Sequence, residues 1–134
     1  MRLLLAALLL VHGAAMGQTF ACQYIESGGL NWENGRWRST LFILPPPFFL
    51  RMNGSKLDNK VVADLLGSRG ASAELVDCAN NTYLQTHSCM DGFGTFLVFD
   101  ERTGQGGRAN LTGSTRTQAK RDATSVAHFI CQKM

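Results

Sequence analysis

Leu30-Asn31-Trp32-Glu33-Asn34-Gly35-Arg36-Trp37-Arg38 is the stretch that decides the fold. Asn-Gly between two alternating segments is the strongest short-range signal for a two-residue type I′ hairpin, because both central residues must take positive φ. A turn of that length fixes the register, so Glu33 opposes Arg36 and Trp32 opposes Trp37. The two indoles then share one face as a direct cross-strand pair, worth about 0.5–1.5 kcal/mol beyond the area they bury. In a domain this small the expected role of such a pair is to roof the core. Held in the open instead, it forms an aromatic platform for a sugar, peptide or lipid.

Outward from the hairpin, the chain keeps reading as short strands. Residues 20–25 alternate, with Phe20, Cys22 and Tyr24 on one face, and a separate short strand covers 30–33. The return strand runs over 36–44 until Pro45-Pro46-Pro47, which cannot donate ladder hydrogen bonds and makes an extended connector. A strand over 48–52 follows. The period then changes: Leu57, Val61 and Leu65 recur every four residues, Ser55 with Asp58 suggests a capping box, and Gly67 suits a C-cap. One helix is predicted at 56–66, a loop at 68–73, and short strands at 74–78 and 82–86 around Asn80-Asn81.

The C-terminal half is clearer. Residues 95–100 carry apolar side chains on both parities, which predicts a strand covered on both faces. Arg102-Thr103-Gly104 marks a turn, 105–111 returns, and Gly106-Gly107 marks a bulge or twist. Residues 112–121 are polar and read as a loop. In a last strand, 124–132, Ala127, Phe129 and Cys131 share a face. The expected fold is mainly β (α+β), an antiparallel meander, sandwich or small barrel of six to eight short strands with one helix.

The first 17 residues have the three parts of a secretory signal. Met1-Arg2 is positive, an apolar run follows, and small residues end at Ala15 and Gly17, predicting cleavage before Gln18. Lipoprotein processing at Cys22 is the weaker alternative, because Phe20 is bulky where a small residue is wanted. No later run reaches the roughly 20 apolar residues that span a bilayer as a helix. What remains, 18–134, has the size of one domain. All four cysteines, Cys22, Cys78, Cys89 and Cys131, lie past the cut, and an even count in an exported small domain reads as two disulfides. Of three possible pairings the favoured one is Cys78–Cys89, a local loop, with Cys22–Cys131 joining the first and last strands. Loop-closure entropy puts these at roughly 3 and 5 kcal/mol as upper-end values. Zinc binding is disfavoured, as no C-x-x-C spacing occurs.

Three further stretches carry a resemblance: Ser88-Cys89-Met90-Asp91-Gly92-Phe93-Gly94 with Phe99-Asp100 and Thr103-Gly104; the ending from Arg121-Asp122-Ala123 to Cys131-Gln132-Lys133; and Trp32 to Trp37. With them the chain resembles small secreted or periplasmic β-rich proteins of Gram-negative bacteria that have no known activity. The resemblance implies compartment and disulfides and transfers no site. Gly35-Arg36-Trp37 is also similar to the Gly-x-Trp start of lipocalin-like barrels, from which the central helix and proline connector depart.

Little else points to chemistry. His87-Ser88-Cys89-Met90 holds a set suited to Cu(I), but a disulfide at Cys89 consumes the thiolate and neighbouring residues of a strand point to opposite faces, so His87 is expected at the surface. His128 is expected as a packing residue of the last strand. Asp100 and Glu101, the one adjacent acid pair, point to opposite sides, which does not suit paired-carboxylate catalysis. Residues 18–101 hold six Lys/Arg against nine Asp/Glu, whereas 102–134 hold six against one. The basic end, centred on Arg116, Lys120 and Arg121 with Arg102 and Arg108, could dock on an anionic envelope component or another exported protein. No stacking aromatics interleave with it, which argues against specific nucleic-acid binding. Sequons at Asn53, Asn80 and Asn110 would carry glycans only in a eukaryotic secretory pathway.

The expected function is therefore an exported, non-enzymatic binding module, with Trp32, Trp37, Arg116, Lys120 and Arg121 as candidate contacts and no cofactor. A small barrel binding an apolar ligand is one alternative. An exported hydrolase or metal protein is the other; a cleft joining His87 or His128 to a carboxylate would favour it. Mass spectrometry of the mature protein is expected to find Gln18 at the N-terminus and no free thiol. Two free thiols contradict the reading.

Overall fold

The computed structural model describes residues 17–66, 76–111 and 123–134. Nine strands and one helix follow in the order β1 (Thr19–Glu33), β2 (Arg36–Leu41), β3 (Phe48–Asn53), β4 (Lys56–Leu57), α1 (Asn59–Leu66), β5 (Asp77–Asn81), β6 (Thr86–Met90), β7 (Thr95–Asp100), β8 (Gln105–Asn110) and β9 (Ala123–Lys133). Every pairing is antiparallel. Eight strands follow one path, β4-β3-β1-β9-β8-β7-β6-β5, and β2 branches off β1. The path curls into a nearly closed barrel, and at its seam the Asn80 amide donates to the Ser55 carbonyl at 2.6 Å. Of the expected shapes, the small barrel is the one that forms.

Inward alternation fills this barrel. Phe20, Cys22 and Tyr24 of β1 meet Leu50 and Met52 of β3, Leu97 and Phe99 of β7, and Ala127 and Phe129 of β9, all buried. Phe20 and Phe99 pack edge-on with centroids 4.9 Å apart, and Tyr24 sits edge-on to Phe129 at 5.8 Å. Gly106 is inward on β8 because a Cβ there would lie 2.3 Å from the Phe129 ring. Its ladder to β7 and β9 is regular, so the glycine pair makes room for an aromatic ring and marks no bulge. Helix α1 packs on both β3 and β7, half the ring apart, and so lies across one end of the barrel with Val62, Ala63 and Leu66 buried.

Both disulfides join directly opposed residues, Cys22 to Cys131 and Cys78 to Cys89. The 34–35 turn has positive φ at both residues and gives the expected pairs Trp32↔Trp37 and Glu33↔Arg36.

Several boundaries differ from expectation. Residues 20–25 and 30–33 are one strand, continuous through a bulge where the register with β9 steps between Tyr24 and Glu26. β2 ends at Leu41 rather than 44. The helix begins at Asn59 because Lys56–Leu57 folds back on Met52 and Asn53 as β4. Its cap is Asp58, whose Oδ1 accepts from the Lys60 and Val61 amides at 3.0 and 3.4 Å while Oδ2 accepts from Arg51 Nε at 3.1 Å. The turn placed at Asn80-Asn81 falls at 82–85, where Asn81 Oδ1 accepts from the Leu84 amide. Cys78 opposite Cys89 allows no other centre. Among the sequons, Asn53 and Asn110 end strands and Asn80 lies within β5. The expectations for residues 1–16, the Gly67 cap, the 68–73 loop and the 112–121 loop lie outside the described residues.

Asp91 stabilises the β6–β7 connection. Burial opposes its ionisation, but amide donors from Thr95 at 3.0 Å and Phe93 at 2.8 Å outweigh burial and hold the carboxyl below the ordinary aspartate range. A depressed folded-state pKa gives stability that is present above the unfolded value, here 3.8, and lost as pH falls through the folded one. Asp91→Ala is expected to cost about 1–3 kcal/mol in urea unfolding at pH 7. The gap should narrow below about pH 4, and a gap that does not change with pH contradicts this account.

Candidate binding surface

The bulge decides which way the hairpin faces. Before it, even-numbered residues of β1 point inward; Ile25 is the extra residue, and beyond it Ser27 opposes the buried Ala127 while Gly28 opposes the outward Val126. Trp32, two pairs of residues past Gly28, is therefore on the outer parity, and Trp37 follows it across the hairpin. The indoles meet edge-on with centroids 5.3 Å apart at 69° and are half-buried. They do not roof the core, as an unbulged strand would require. Gly29, inward beyond the bulge, leaves no room for a Cβ, which would overlap the Thr124 carbonyl oxygen at 1.9 Å.

The indoles continue into a wider apolar surface. Residues in direct register run outward-facing across six strands: Met90, Phe96, Ala109, Val126, Gly28 and Leu41. Leu41 is 90% exposed, Val126 57% and Phe96 37%. The outer face of β7, expected to be covered, is open at Phe96 and Val98. Where β2 diverges from β1, a groove of about 700 Å³ is lined by Ile25, Leu41, Phe42, Leu44 and Val126, with Glu26 and His128 at its polar side. His128 thus lines a surface groove rather than packing inside.

His87 departs from expectation. It is inward and 1% exposed, with Nε2 3.1 Å from Glu101 Oε2 and its ring stacked on Phe99. The parity of Cys89 forces this, because residues two apart on a strand share a face and Cys89 must reach Cys78. Nδ1 of His87 and Oδ1 of Asn80, its cross-strand neighbour, are buried without hydrogen-bond partners. A histidine does meet a carboxylate here, but no hydroxyl or thiol is bonded to it among the described residues. Glu101 also donates its amide to the Gln85 carbonyl, so the pair ties the 82–85 turn to the 101–104 turn. Asp100 points elsewhere: its Oδ1 accepts from the Thr103 and Arg102 amides, Thr103 foremost, which holds its carboxyl below the ordinary range.

Among the described residues no group of three His, Cys, Asp or Glu is placed to hold a metal ion, and no helix is long and apolar enough to cross a membrane. The structure brings Trp32 and Trp37 together; Arg116, Lys120 and Arg121 lie outside the described residues. Sequence reasoning missed the outward row, although the apolar residues on both parities of β7 were its signal. Compared with family models, curated proteins and solved structures, the chain matches none.

Both tryptophans of the chain are in this pair. Iodide is expected to quench the emission of the folded mature protein, and Trp32→Phe and Trp37→Phe should each keep a quenchable signal. A blue-shifted emission insensitive to iodide contradicts the outward placement.

Proposed function

We propose that the protein is an exported, non-enzymatic binding module of the periplasm or extracellular space, and that it engages its partner through the outer face of the β1–β2 hairpin. The observation that carries this reading is the outward row from the Trp32–Trp37 pair through Leu41 and Val126 to Phe96. Contiguous exposed apolar surface rimmed by polar groups marks interaction sites, because a monomer gains nothing by leaving it in water. Tyr and Trp supply large contact area at low entropic cost, which suits them to anchor such contacts. The signal-like leader and the two disulfides support export.

An interior apolar-ligand site has less support, since Phe20, Leu50, Leu97, Phe99 and Phe129 occupy the barrel. Hydrolytic chemistry at His87 has less support as well, because the imidazole is buried against Phe99. The basic end stays part of the proposal as a docking aid toward anionic components.

The test is capture from a native envelope fraction with mature protein as bait. Trp37→Ala and Leu41→Ser baits should lose captured partners while their melting temperatures stay close to wild type for Leu41→Ser, whose side chain is 90% exposed. Identical capture by all baits contradicts the proposed surface.

A further inference from the structure

β2 is the one strand off the barrel path, and it pairs with no described strand but β1. The strand that next lies beside β1, β3, pairs with residues 19–22, and the triple-proline connector between the two lacks the N–H groups to cover β2. Its edge chemistry follows from register. Glu33 and Arg36 close a two-residue hairpin and form a hydrogen-bonded pair, and Phe42 donates to the Ser27 carbonyl at 3.1 Å, which sets the same phase. Main-chain groups of Arg36, Arg38 and Thr40 thus point to β1, while those of Trp37, Ser39 and Leu41 point to the open side.

The side chains of β2 sort as sharply. One face carries Trp37, Ser39 and Leu41, continuous with the apolar row. The other carries Arg36 and Arg38, both exposed and neither in an ion pair among the described residues. Resting on the surface proposed above, we infer that β2 receives an extended peptide as an added antiparallel strand. Its alternate residues are acidic, facing Arg36 and Arg38, and apolar, facing Trp37 and Leu41. Main-chain hydrogen bonds hold such a strand and its alternate side chains give the specificity. Charge decides against a second copy of this chain: two β2 edges brought together would put four guanidinium groups on one face with no acid in β2 to offset them.

A fluorescein-labelled peptide Val-Thr-Val-Glu-Val-Glu, which sets its two Glu opposite Arg38 and Arg36, is titrated against the mature protein by anisotropy. Binding is expected, weakened by added salt and roughly tenfold by Arg36→Ala/Arg38→Ala or by Lys in place of both Glu. Ser39→Pro removes an N–H from the open side alone and should abolish binding with the melting transition retained. N-methylating the second and third Val of the peptide should do the same with wild-type protein, so the test does not depend on that variant folding. Unchanged affinity with Ser39→Pro or the N-methylated peptide overturns strand addition but leaves the aromatic surface standing, as does no binding by wild type while Trp37→Ala still loses capture. A protein dimer that Ser39→Pro dissolves overturns it in favour of self-pairing.

Discussion

The register between β1 and β9 is the constraint on which the rest depends. At Cys22↔Cys131 and Tyr24↔Phe129 the pairing keeps one phase, and from Glu26↔His128 onward it keeps another, one residue displaced. Because side chains alternate with period two, a single inserted residue sends everything downstream to the opposite face. The first phase puts Phe20, Cys22 and Tyr24 into the barrel, and the second puts Gly28, Leu30 and Trp32 outside it. The disulfide locks the first phase by a bond between residues 109 apart in sequence, a closure worth roughly 5 kcal/mol at the upper end of the loop-entropy account. One strand thereby serves the core with its first half and the surface with its second.

Inside and outside are then two separate apolar systems. The inside is closed by aromatic contacts, by Gly106 yielding space to Phe129, and by α1 laid across one end. The outside is a strip whose most exposed member, Leu41, belongs to the strand that branches off the barrel path. A small two-disulfide domain that still exposes so many apolar groups is poorly explained by folding stability alone. Under the proposed function the outer strip is a surface kept for another molecule, with Arg36 and Arg38 on the reverse of β2 discouraging association of like copies.

Much of this was legible in the residues. Asn34-Gly35 gave the hairpin and its register, alternation gave the inward faces of β1 and β9, and both disulfides followed from chain position. The bulge was not legible, because nothing in Tyr24-Ile25-Glu26 distinguishes an extra residue from an ordinary outward one. The core role expected of the indoles rested on the small size of the domain, and the shifted phase puts them on the surface instead. The burial of His87 was implicit in its spacing from Cys89, and the 82–85 turn was implicit in the spacing of the two cysteines but was obscured by the local appeal of Asn80-Asn81 as a turn. The covered outer face expected for β7 failed because apolar residues on both parities fit an exposed binding strip as well as a buried strand.

Cross-strand Hα–Hα nuclear Overhauser effects across β1 and β9 test the central claim most directly. The two-phase register predicts contacts at the pairs whose main-chain groups point away from each other: Tyr24 with Phe129 before the bulge, and Ser27 with Ala127 and Gly29 with Ser125 after it. A single unbroken phase, with Glu26 opposite Ala127 and Gly28 opposite Ser125, contradicts the account, because Trp32 would then turn into the barrel.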